Sequence, residues 1–203
     1  MQVMLCTLPA TLYGQQDSEV QLANAYLLKG EKKKALEIFK DLAKNDRNTS
    51  VIYSNYLTCM LELGLYHDAE NYLKKISKKD PENIQYVLDI GVVYLHAGET
   101  HKAAKHFDNL IRQHRGNPQQ VKVMADYLAS RAANKYAIDF LLQSRNYLAS
   151  PSLFSLELAT LYRLEGKRDE MVNEYINYVT QNAGNIQYVK NVMQTLLTRH
   201  DEL

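Results

Sequence analysis

The sequence predicts an all-α protein assembled from antiparallel helical hairpins stacked in a row, and three observations predict it. Small residues recur at a fixed interval: Ala35, Ala69, Ala103 and Ala137 stand 34 residues apart, with Met171 at the next step. Gly30, Gly64 and Gly98 keep the same interval, continued by Ala132 and Gly166, and mark breaks between paired helices. Between these marks the apolar residues are spaced three and four apart, the period of one helix face.

Residues 84 to 117 are the clearest copy. Val87, Ile90, Gly91 and Tyr94 share one face of a first helix, Gly98 breaks the chain, and Ala103, Phe107 and Leu110 share one face of a second. Taken in order, the units are 16–49, 50–83, 84–117, 118–151 and 152–185, with 186–203 opening a sixth. In that last segment Val189, Val192, Met193 and Leu196 fall on the core face of a first helix, read either as a terminal cap or as the start of a repeat that continued. The peptide Asn-Ile-Gln-Tyr-Val occurs at 83–87 and again at 185–189, three periods apart.

Boundaries follow from capping chemistry. Thr49, Asn83, Asn117 and Asn185 each precede a first helix and carry a side chain that accepts from exposed helix amides. At the fourth unit boundary Ser150 followed by Pro151 offers a cap and then a proline at the first helical position, the favoured order, and Asn117 with Pro118 does the same. Within each hairpin, Ala23, Gly91, Ala125 and Ala159 on the first helix, opposite the alanines of the second, permit close helix approach. A single hairpin cannot bury its apolar face alone, so stability has to come from stacking about three or more.

The pattern resembles the tetratricopeptide repeat, whose W-x2-L-G-x2-Y…A-x3-F signature is met by Gly91, Tyr94, Ala103 and Phe107, with Val87 and Ile90 in the Trp and Leu positions. The resemblance implies a right-handed superhelical α-solenoid that binds a protein or peptide in a concave groove lined by the first helices. Carried over residue by residue, the groove candidates are Asn24 and Leu27; Asn55, Thr58 and Leu61; Gln85, Leu88, Asp89, Val92 and Leu95; Lys122 and Asp126; and Leu156, Thr160 and Arg163. The family's chaperone-binding carboxylate clamp is not expected. Asn24 and Asn55 match two of its positions, but Val20, Gln85 and Asp89 stand where its cations belong, leaving nothing to neutralise a terminal carboxylate.

Composition narrows the function classes. With 203 residues, 46% of them hydrophobic, the chain can bury a sizeable core. Its net charge of +1 supplies no global field for nucleic acid, the main alternative partner of a helical repeat. No stretch reaches the roughly 18 to 20 apolar residues of a membrane-spanning helix. Cys6 and Cys59 form neither a disulfide framework nor a metal spacing, and His96, His101, His106 and His114 lack the i, i+4 pairing of a metal helix. No phosphate loop, nucleophile elbow or zinc-protease helix occurs, so neither an enzyme nor a cofactor nor a small-molecule substrate is expected. Most of the fifteen tyrosines, among them Tyr26, Tyr53, Tyr56, Tyr94, Tyr162 and Tyr175, fall on core positions of the repeat.

The two ends carry possible addresses. Residues 1–15 are uncharged and apolar from Val3 to Tyr13, matching the latter part of an export signal without its basic start, and Leu-Tyr-Gly-Gln-Gln resembles the signal-to-mature junction of exported repeat proteins of the Bacteroidota. Export, to the periplasm or otherwise, is the expectation, with a cytoplasmic array whose apolar N-terminal segment packs on the first hairpin as the alternative. The closing His-Asp-Glu-Leu spells an endoplasmic reticulum retrieval signal, or else an array happens to stop in a polar turn.

Overall fold

A computed structural model describes residues 10–181 and 183–198. Cys6, residues 1–9 of the export segment and the His-Asp-Glu-Leu terminus lie outside the described residues. Eleven α-helices run in order among those described: α1 (Ala10–Leu28), α2 (Lys32–Leu42), α3 (Thr49–Glu62), α4 (Tyr66–Lys79), α5 (Ile84–His96), α6 (Thr100–His114), α7 (Pro118–Ser130), α8 (Asn134–Tyr147), α9 (Ser155–Leu164), α10 (Arg168–Gln181) and α11 (Ile186–Thr198). None is long and apolar enough to cross a membrane. The described residues resolve into two compact units: those up to Tyr86 with Val93–Gly98, and Val87–Val92 with those from Glu99 onward.

The turns within hairpins have one chemistry. Gly30, Gly64, Gly98 and Gly166 adopt φ of 76°, 71°, 73° and 68°, the left-handed conformation that ends a helix most cheaply with glycine. Ala132 occupies the same step and takes φ 57° with a Cβ, a conformation costing about 1–2 kcal/mol. Five residues after four of these turns sits a fully buried alanine, Ala35, Ala69, Ala103 or Ala137, and Ala23, Ala125 and Ala159 on first helices are buried as well, Ala159 against Met171.

Capping agrees with expectation at two boundaries and departs at three. The Asn83 side chain accepts from the Gln85 amide at 3.2 Å, and Asn117 from the Gln120 amide at 3.1 Å with Pro118 opening α7. Thr49 instead begins α3. The capping residue there is Asn45, which holds Arg47 N at the head of a 3-10 turn, Asp46–Asn48, that feeds the helix. Asn185 ends a similar turn, Ala183–Asn185, and its amide donates back to the Tyr178 carbonyl. Ser150 and Pro151 do not start a helix: α9 begins only at Ser155. The reason is the buried Arg145 of α8, whose Nε donates to the Leu153 carbonyl at 2.7 Å while buried Phe154 turns left-handed at φ 63°.

In the first unit the core centres on Phe39, Ile52, Leu57, Met60 and Leu73, with Tyr53 edge-on to Tyr86 at 4.7 Å and Tyr56 to Tyr72 at 4.9 Å. In the second unit Phe107 packs against Tyr136 and Phe140, and α11 lays Val189, Val192 and Met193 on Ala159, Met171 and Tyr175.

Cys59 is fully buried in α3, and burial foremost, then Glu62, pushes its thiol up from 9.0 to about 11, against a smaller opposing pull from Lys32. The unfolded thiol ionises first, so the native state holds the extra proton above pH 9, and stability falls as pH rises from about 9 through 11. A displacement of that size corresponds to about 3 kcal/mol. Burial raises Tyr56 and Tyr72 too and works in the same direction. Urea titrations at pH 8 and pH 11 are expected to show this loss, with a smaller loss in Cys59→Ala; an equal loss in both would assign the effect elsewhere.

Candidate functional site

The expected groove residues divide between the two units. In the first, Asn24 and Leu27 come from α1, Asn55, Thr58 and Leu61 from α3, and Gln85 and Leu95 from the ends of α5. The Asn55 amide donates to the Asn24 carbonyl oxygen at 2.7 Å, tying two successive first helices together. This leaves the Asn24 NH2 and the Asn55 side-chain oxygen pointing one donor group and one acceptor away from their shared bond. Both are half-buried, as are Leu27, Thr58, Leu61 and Leu95; Gln85 is exposed.

In the second unit the residues part company. Leu88 and Asp89 are 0% exposed and Val92 2%, so they offer solvent no side-chain surface. Asp89 is a structural anchor: Oδ2 accepts from the Tyr127 hydroxyl at 2.7 Å and from Arg131 Nη2 at 2.9 Å, binding α5 to α7. The accessible candidates lie on α7 and α9. Lys122, Asp126, Leu156 and Thr160 line one cavity of 360 Å³, completed by Ala125, Ala129, Glu157, Leu161 and Leu164. Arg163 is exposed one turn after Thr160.

Lys122 organises this cavity. Its Nζ lies 3.0 Å from Glu157 and 3.3 Å from Asp126, so one cation stands between two carboxylates. Burial pulls its pKa down, but Glu157 and then Asp126 outweigh that and leave it raised. Leu156 and the strongly exposed Leu164 form the apolar side of the same opening. The arrangement provides hydrogen-bonding and charged groups around an apolar floor, with no nucleophile paired to a base. Glu157 is the charged lining residue that the family positions did not supply. Its signal was in the sequence: it follows Lys122 by one period plus one residue, which places the two on neighbouring first helices.

Family models of the tetratricopeptide repeat match residues 60–127 and 17–49. No curated protein matches the chain. Among solved structures, a thermophilic TPR protein of Thermus thermophilus is 18% identical, over 90% of this chain and 99% of that one, at a TM-score of 0.46. MamA of Desulfovibrio magneticus RS-1 is 13% identical over 89% and 96%, at 0.43. Pseudomonas aeruginosa pilF is 20% identical over 88% and 97%, at 0.35. These likenesses bear on neither partner nor activity.

Proposed function

We propose that this chain, which belongs to the tetratricopeptide repeat proteins, is a non-catalytic scaffold that holds a protein partner through an extended peptide lying on its first helices. The observation that carries this reading is the α7–α9 cavity, where four residues expected from the repeat positions converge on a single opening. The Asn24–Asn55 pair supports it from the other unit, since a donor and an acceptor side by side suit a peptide group. The uncharged apolar run from Val3 to Tyr13 favours export as the setting of that scaffold.

Selection of a displayed random-peptide library on the full chain tests the reading. Selected peptides are expected to bind at least tenfold more weakly to the double variant Asp126→Ala with Thr160→Tyr, both exposed positions, at unchanged helical circular dichroism. Equal binding to both proteins would move the partner surface off α7 and α9.

A further inference from the structure

The α7–α9 cavity opens where the repeat lacks a periodic leucine. Leu27, Leu61 and Leu95 stand 34 residues apart on α1, α3 and α5, and the next step falls on Ala129 of α7, which lines the opening. Alanine presents a methyl where leucine presents an isobutyl group, and packed neighbours close such a gap only in part. Ala129 and Leu156 are half-buried and Leu164 is 59% exposed, so each still offers surface to an incoming group. Ala125 and Leu161 complete the apolar lining but are themselves buried.

The polar groups restrict what can enter. Lys122 is held by Glu157 at 3.0 Å and by Asp126 at 3.3 Å, so it is no free counter-ion for a partner's carboxylate, and it already fills the place a partner's cation would take between them. Two carboxylates against one ammonium leave the opening with a net negative charge, which repels acidic groups. The Thr160 hydroxyl donates to the Leu156 carbonyl at 2.9 Å, which leaves its oxygen as an acceptor. Apolar surface and hydrogen-bond acceptors are therefore what the opening offers. An aliphatic side chain on an extended backbone complements both, because its carbons cover the leucines and its amide N–H is a donor.

We propose that the α7–α9 cavity receives an aliphatic side chain of the bound peptide, a leucine, isoleucine or methionine, seated against Ala129, Leu156 and Leu164 in the space of the missing periodic leucine, and that it excludes an acidic residue from the same place. The assignment rests on the peptide surface proposed for α7 and α9 and names the chemistry of its anchor.

Peptides selected from the displayed library on the full chain, labelled and titrated by fluorescence anisotropy, test the anchor. They are expected to share one aliphatic position whose change to alanine weakens binding at least tenfold and whose change to aspartate abolishes it. Ala129→Leu restores the periodic side chain and fills the space, and is expected to weaken the same peptides at least tenfold at unchanged helical circular dichroism. Leu164→Ser, at an exposed position, is expected to weaken them as well and keeps the test decisive if Ala129→Leu folds poorly. Peptides that depend on Asp126 and Thr160 but share no aliphatic position, or that bind either folded variant as tightly as wild type, would overturn the anchor and leave the peptide surface in place. Peptides indifferent to the Asp126→Ala with Thr160→Tyr variant would remove that surface, and the anchor with it.

Discussion

Replacing Arg145 with methionine is expected to cost about 3–5 kcal/mol, because it strands Glu174 as a buried, uncompensated charge. Arg145 is 7% and Glu174 6% exposed, and they meet bidentately at 2.7 and 2.8 Å. The same guanidinium holds the Leu153 carbonyl, so its loss also frees the turn that enters α9. By the usual scaling for chains of this length the melting midpoint should fall by about 8 °C or more. The double variant Arg145→Met with Glu174→Leu removes both charges and should recover most of the loss, since a buried pair replaced by apolar volume is often near neutral. A single variant within about 1 kcal/mol of wild type in urea titration would show that the pair is not carrying this join.

Gly91→Leu is expected to have the next largest effect. A Cβ built on Gly91 would stand 2.3, 2.5 and 2.8 Å from three carbons of the Phe107 ring, closer than side chains pack. The ring has little room to retreat, being 1% exposed and backed by Tyr136 and Phe140. Overpacking should cost about 3 kcal/mol, the upper end of its common range, against less than about 1 kcal/mol returned by helix propensity. Thermal melts should drop by roughly 4–8 °C. Pairing Gly91→Ala with Phe107→Leu should show positive coupling in a double-mutant cycle, and additive losses would place the strain elsewhere.

Much of the architecture was legible because it depends on spacing. An alanine or glycine every 34 residues fixes where helices touch and turn, and Asn83 and Asn117 announce helix starts through local chemistry alone. Ser150–Pro151 misleads for a physical reason: the local signal is real, but Arg145 and Glu174, 29 residues apart and unrelated by the period, impose another path. The candidate surface shows the same divide. Repeat position assigns Leu88, Asp89 and Val92 to a helix face, yet accessibility depends on the side chains of the next first helix. Tyr127 of α7 and Arg131 just past its end reach back to Asp89, and nothing in the spacing of α5 reveals it.

The late start of α9 alters dimensions as well as local conformation. That helix has 10 residues where α7 has 13, which at 1.5 Å per residue makes it about 4–5 Å shorter. A bound chain crossing from α7 to α9 on the Pro118 side would therefore meet the Pro151–Phe154 turn where strict repetition would provide nearly one more turn of helix. Equal intervals in sequence thus become unequal intervals between contact points in space, and a partner matched to this pair of helices would need its own anchoring side chains spaced unevenly to fit.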